Sequence, residues 1–271
     1  MLENLIGRDT ELFRLPPVFP SPAQIIRVNL EVLTSALEAE AGDAPALRYL
    51  CPQERARLHA FRHEKRKVEW LAGRIAAKCA GLLLQHEQEE IRHDSHHWQQ
   101  LQVANDQAGR PYLLWSAPEK SAQVHISISH SSLYAIAIAA RGNCGIDIQL
   151  VTPAVERVEA RFACAAEKNI LGEIIQLHGS QAALTLLWSA KEAVKKSCGR
   201  PKLPGFLDIG LQSLQKSGDA YLFAVQTNAA ECGHQADQQI WVRLHAGFAY
   251  AVTMHNQVYL SSSTASVLSS A

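Results

Sequence analysis

The sequence predicts an α+β fold built as a pseudo-dimer, two similar α/β halves facing each other across a cleft. Three observations predict it. Apolar residues recur at helical spacing over 52–86 and 180–197. They follow strand patterns over 24–32, 123–140, 143–151 and 239–254. Finally, "WLAGRIAAKCAG" at 70–81 is echoed by "LLWSAKEAVKKSCG" at 186–199, and each is followed by a strand–turn–strand run.

Taken in order, "LPPVFPSP" at 15–22 is a proline-rich lead-in to a strand over 24–32. Pro52 opens a helix, where its missing N–H costs nothing. Leu58 with Phe61, then Leu71, Ile75, Leu82 and Leu83, form its core-facing stripe, with a break near "RHEKRK" at 62–67. "VHISIS" and "LYAIAIAA" are two strands joined by a polar turn. "NCGIDIQLV" at 143–151 is another strand, closed by Pro153. Helices are expected over 156–175 and 180–197, with Ser180 as N-cap and Gly199 as C-cap. The polar tail over 259–271 is expected to be disordered.

Aligning Trp70 with Trp188 also matches Ala72 with Ala190, Lys78 with Lys196 and Gly81 with Gly199; downstream, His130 falls near the place of His245. An internal duplication follows, with an N-terminal half over 1–142 and a C-terminal half over 143–258. Chance likeness between two amphipathic helices is the other reading.

Twenty-six basic side chains balance 26 acidic ones, so no global field recruits nucleic acid or an anionic membrane. No run reaches the roughly 18 apolar residues of a membrane span, and the charged, proline-broken start is not a signal peptide. The six cysteines include no Cys-x-x-Cys pair, which reads as reduced thiols in a cytoplasmic protein.

Four clusters carry candidate chemistry. On the 180–197 helix, Trp188, Glu192 and Lys196 share a face, with Lys191 and Lys195 beside them. Read alone, this is an ordinary solvated Glu–Lys pair. In "GIDIQ", alternation puts Asp147 and Gln149 on one side of an apolar strand, as oxygen ligands for a hard ion or as turn caps. "ISISHSS" sets Ser127, Ser129 and His130 at a strand end, suited to phosphate contacts or to a plain hairpin turn. Arg62, Lys65, Arg66, Lys67, Arg74 and Lys78, with "GRP" at 109–111, form a local basic cluster. The histidines of 86–98 lie in a polar connector without zinc-ligand spacing, and phosphate-loop and dinucleotide fingerprints are absent.

In this order, "WLAGRIAAK", "GRP", "SISHS", "GIDIQ" and "WSAKEAVKK" resemble the 4'-phosphopantetheinyl transferases, in particular the larger, monomeric, surfactin-synthetase-activating type. The resemblance implies transfer of phosphopantetheine from coenzyme A to a serine of an acyl or peptidyl carrier protein, with Mg²⁺, releasing 3',5'-ADP. It implies that Asp147 and Glu192 share Mg²⁺, that Glu192 helps deprotonate the carrier serine, and that Lys196 neutralises the departing phosphate. It places Lys65, Gly109 and Arg110 on the 3'-phosphate and adenine side, Ser129 and His130 on the coenzyme A phosphates, and Lys191 and Lys196 among the coenzyme A contacts.

Two positions depart from the family. Gln149 stands where many members carry a second acid, leaving a weak or water-mediated ligand. Glu69 stands where some carry a basic residue, leaving phosphate capture to Lys65, Arg66 or Arg74. A Mg²⁺-dependent phosphodiesterase and a non-catalytic carrier-binding paralogue are the rival functions.

Overall fold

The computed structural model describes residues 6–7, 12–19, 22–39, 47–85, 98–116, 124–198, 203–227 and 237–255. The histidine-rich run 86–97, Gly199, Cys232 and the tail lie outside the described residues.

Two antiparallel sheets form the centre. The first contains β1 (Ile6–Gly7), β2 (Ala23–Asn29), β3 (Leu101–Asn105), β4 (Pro111–Trp115), β5 (His125–Ser131) and β6 (Tyr134–Ala140), in the order β1-β2-β6-β5-β4-β3. The second contains β7 (Cys144–Leu150), β8 (Ile209–Ser217), β9 (Ala220–Thr227), β10 (Asp237–His245) and β11 (Phe248–Met254), in the order β7-β11-β10-β9-β8. Apart from β1, the second order repeats the first strand for strand. Together with the helices, these sheets make the fold α+β.

The helices are α1 (Leu30–Ala39), α2 (Pro52–His59), α3 (Glu64–Gln85), α4 (Ala154–Arg157), α5 (Ala165–Ile170), α6 (Gly172–His178) and α7 (Ser180–Ser197). Side-chain alternation in the strands makes three cores. Ile26, Val28, Ala135, Ala137 and Ala139 face α3, while Ala249 and Ala251 face α7. Ile136, Ile138, Ile146, Ile148, Tyr250 and Val252 meet between the sheets. Alanine dominates the helix-facing side because a small side chain lets a helix lie close to a sheet.

Several expectations change. The strand expected over 24–32 ends at Asn29, whose Oδ1 accepts from Glu31 N (2.9 Å) and Val32 N (3.2 Å) and starts α1. The helical run from Pro52 breaks after His59, slightly earlier than expected. The helix expected over 156–175 is instead α4, a short 3-10 turn (Glu159–Arg161), α5 and α6. It restarts because Glu167 reaches back to the N–H of Cys164 (2.9 Å). Gly179 (φ 86°), not Ser180, caps α7. The strands β3, β4, β8 and β9 are additions to the sequence reading.

The repeat has a different register from the one read in the sequence. In the first unit, Lys78 is fully buried and donates to Tyr49 O (2.8 Å), Trp98 O (3.1 Å) and Glu54 Oε2. Glu54 also accepts from Cys51 N (3.1 Å) and Val103 N (2.9 Å). In the second unit, Lys191 donates to Phe162 O (2.6 Å) and Phe206 O (3.1 Å) and pairs with Glu167 Oε1 (2.7 Å). Glu167 also accepts from Cys164 N and Leu211 N (both 2.9 Å). Tyr49/Phe162, Cys51/Cys164, Glu54/Glu167 and Lys78/Lys191 are all displaced by the same number of residues. Lys78 therefore corresponds to Lys191, a little over one turn before Lys196. The hairpins agree closely with this. β5–β6 closes at Ser131 and Tyr134, β10–β11 at His245 and Phe248, so Ser131 rather than His130 matches His245.

Candidate active site

The site forms where β7, the edge of the second sheet, meets β5 of the first. An edge strand has unpaired N–H groups that need acceptors. Here the hydroxyls of Ser127, Ser129 and Ser131, alternate residues of β5, accept from the N–H groups of Ile146 (3.2 Å), Ile148 (3.4 Å) and Leu150 (2.9 Å). A ladder of serines thus joins the two sheets in one register.

Ser129 does a second job. Its hydroxyl donates to Asp147 Oδ1 (2.8 Å), which also receives Lys196 Nζ (2.7 Å). Lys196 additionally donates to Ile146 O (3.2 Å). The other carboxylate oxygen, Asp147 Oδ2, is buried with no hydrogen-bond partner among the described residues. A charged oxygen left this way costs several kcal/mol unless a cation or donor completes it.

The helix reaches the strand because Gly145 has no side chain. A Cβ there would lie 1.9 Å from Ala193 O and 2.9 Å from Ser197 N. Glycine is required by that contact, and the contact sets Asp147 beside the last two turns of α7.

Trp188 stacks on Phe206 (4.5 Å between centroids) and meets Phe162 edge-on (5.1 Å). Lys195 Nζ lies 3.8 Å from Glu192 Oε1 and over the Phe206 ring. Burial pushes the Glu192 carboxyl above its ordinary range; Lys196 and Lys195 pull it back, and the charge of Asp147 adds to the rise.

From the first unit, the β3–β4 loop reaches this end of α7. Asp106 organises it, accepting from Ala108 N and Arg110 N (both 2.9 Å) and from Arg110 Nε (2.8 Å), while Gly109 takes φ 81°. Arg110 Nη1 then donates to Cys198 O (3.3 Å). A cavity of about 380 Å³ opens here, lined by Arg110, His125, Cys144, Lys196, Ser197 and Cys198 among others. Burial holds His125 below the usual histidine range and pushes the Cys144 thiol up to about 12, which suppresses its thiolate at neutral pH.

The predicted residues therefore sort into groups. Ser129, Asp147 and Lys196 are joined by hydrogen bonds, Glu192 feels the charges of Lys196 and Asp147, and Arg110 lines a cavity with Lys196, with Gly109 shaping its loop. His130 is exposed at the end of β5 and Gln149 is exposed on β7. Lys65 and Arg66 project from the first turn of α3, each near Glu69 (3.9 and 3.5 Å). Arg74 lies over Trp70 and donates to Asn105 Oδ1 (3.2 Å); burial lowers it to about 10. Lys191 is not at the cavity: all three of its donors are used inside the protein.

Sequence reasoning missed the ladder roles of Ser127 and Ser131, the loop-forming Asp106, the cavity-lining His125 and the steric role of Gly145. The period-two serines of "HISISHS" were a legible signal; a contact between Gly145 and a helix backbone was not.

The donor set suits a hard divalent cation: two carboxylates, one with a buried oxygen that has no hydrogen-bond partner among the described residues. Among the described residues, no group of three or more His, Cys, Asp or Glu could hold a metal. Asp147 and Glu192 would be the protein ligands, with water and substrate oxygens completing the shell.

A sequence model of the 4'-phosphopantetheinyl transferase superfamily matches residues 143–253, from the entrance to β7 into β11. Three proteins named holo-acyl-carrier-protein synthase are similar. That of Staphylococcus carnosus is 36% identical over 95 residues, covering 32% of this chain and 69% of the relative. That of Bacillus pumilus is 39% identical over 90 residues, covering 33% and 70%. The chain belongs to the 4'-phosphopantetheinyl transferase superfamily. A relative from Anoxybacillus flavithermus is 39% identical over 80 residues, 27% of this chain; the chain spans 57% of that relative's length. The superfamily match contains Gly145, Asp147, Glu192 and Lys196 but not Ser129 or Arg110, which the first unit supplies. No helix among the described residues is long and apolar enough to cross a membrane.

Proposed function

We propose that the chain is a two-unit phosphopantetheinyl transferase that moves 4'-phosphopantetheine from coenzyme A to a serine hydroxyl of an acyl or peptidyl carrier protein. The observation carrying this reading is the meeting of Asp147, Glu192 and Lys196 at a seam to which the first unit brings Ser129 and Arg110. Two similar units in one chain favour the larger, monomeric type, with the site in the cleft between them.

The carrier hydroxyl attacks the phosphorus that bears pantetheine, the bond to the second phosphate breaks, and 3',5'-ADP leaves. Glu192 accepts the hydroxyl proton. Lys196 neutralises charge growing on the departing phosphate, while Asp147, itself oriented by the Ser129 hydroxyl, and Ile146 O hold its ammonium in place. Arg110 and Lys196 line the cavity in which the phosphates sit, with exposed His130 at the end of the serine ladder. Asp147 and Glu192 would hold Mg²⁺, which when bound supplies charge neutralisation at the pyrophosphate.

The test is intact-mass analysis of apo carrier proteins incubated with the chain, coenzyme A and Mg²⁺. A gain of one phosphopantetheine is expected. Release of 3',5'-ADP without that gain would establish hydrolysis instead.

A further inference from the structure

We propose that Lys191 is a positioning residue for the transfer chemistry: with Glu167 it clamps α7 at the height and rotation that present Glu192 to Asp147. The proposal rests on the function given above only for its kinetic part.

The ammonium has three donors, and three acceptors take them: Glu167 Oε1 (2.7 Å), Phe162 O (2.6 Å) and Phe206 O (3.1 Å). These acceptors lie on separate segments, α5, the chain preceding it, and the 3-10 turn Phe206–Asp208. Glu167 extends the hold to Cys164 N and to Leu211 N of β8. The same two phenylalanines receive Trp188, one turn before Glu192, and Lys195 lies over Phe206. One side of α7 is thus held at three successive turns, which leaves Glu192 and Lys196 on the neighbouring stripe with one orientation.

The other half shows that the clamp is independent of any substrate. Lys78 and Glu54 make the corresponding bonds around α3. With Lys78 aligned to Lys191, Glu192 corresponds to Cys79 and Lys196 to Leu83, both buried in apolar core. The first unit therefore contains the clamp without the chemistry.

The experiment compares Lys191→Met with Lys78→Met in the full chain. Amide hydrogen exchange is expected to speed up over 186–197 in the first variant and over 73–84 in the second. MgCl2 alone should raise the melting temperature of wild type and Lys78→Met more than that of Lys191→Met. In carrier loading well below both melting temperatures, Lys191→Met should lower kcat about 100-fold. Its KM for coenzyme A should stay within about twofold, and Lys78→Met should keep kcat within about threefold. A raised KM with normal kcat would make Lys191 a coenzyme A ligand and overturn the proposal. So would equal loss of kcat in both variants, or exchange over 186–197 that does not change. If a methionine variant fails to fold, Glu167→Gln and Glu54→Gln give the same comparison. If wild type loads no carrier yet exchange and MgCl2 effects follow the expected pattern, the function fails and the clamp stands.

Discussion

The two long helices, α3 and α7, are held in the same way and differ in what they carry. In the register set by the buried lysines and the hairpins, Asp147, Glu192 and Lys196 of the second unit stand opposite Ile26, Cys79 and Leu83 of the first. Gly145 stands opposite Gln24, so the position that is bare against α7 in the second unit carries a side chain in the first. The first unit uses its positions for apolar packing. The second uses them to hold charge, at the cost of a carboxyl raised by burial and a carboxylate oxygen with no hydrogen-bond partner among the described residues. The difference teaches that the buried lysine–glutamate pair belongs to the fold of both units, whereas the charged residues of the candidate site occupy positions that the first unit fills with apolar side chains.

Four measurements sharpen or break this comparison. The largest effect is expected at the clamps. Lys78→Met and Lys191→Met each leave a buried glutamate uncompensated, which should cost about 3–5 kcal/mol in urea unfolding. A loss confined to one variant would show that the two clamps are not equivalent. Next, Asp147→Ala and Glu192→Gln should each lower transfer about 10²–10³-fold, which corresponds to the loss of one preorganised charged contact. Full carrier loading by either variant would remove the carboxylates from the reaction.

A smaller effect is expected at Gly145→Ala. Its methyl must push β7 away from the backbone of α7, at about 1–3 kcal/mol in thermal unfolding. Transfer should fall further than stability accounts for, because Asp147 moves with β7. Gln24→Ala should leave transfer unchanged.

The smallest effect has a definite sign. Glu192 has its folded pKa raised, chiefly by burial, so the folded state binds the proton more tightly than the unfolded chain. Stability therefore falls as pH rises through the window from the ordinary glutamate value to the raised one, and the penalty is complete above it. Without Mg²⁺, Glu192→Gln should melt higher than wild type at neutral pH, and the gap should shrink as the pH falls through that window. A constant gap from pH 4 to pH 8 would show that burial does not disfavour the charge.

Much of the second unit was legible in its residues. The bounds of α7, the strand carrying "GIDIQ" and the stripe of Trp188, Glu192 and Lys196 all follow from periodicity, because helix and strand repeats are local properties. The alignment of the two halves was misread because Trp188 and Lys196 imitate Trp70 and Lys78 in type and spacing. The true marker was the pair of Cys-x-x-Glu boxes at 51–54 and 164–167, whose meaning depends on a lysine far along the chain. The resemblance groups Lys191 with the substrate contacts because three lysines within six residues look alike until burial separates them.

By itself, the amino-acid order determined the secondary structure around the site, the kind of chemistry its side chains suit and the likeness between the halves. All of these depend on neighbours within a few residues or on residue type. Only the tertiary structure decided which lysine is a clamp and which faces the cavity. It alone decided that the serines of β5 join two sheets, and that a glycine lets a strand and a helix bring Asp147 to Lys196. Those outcomes rest on close approach and desolvation between distant segments, which no spacing within one segment encodes.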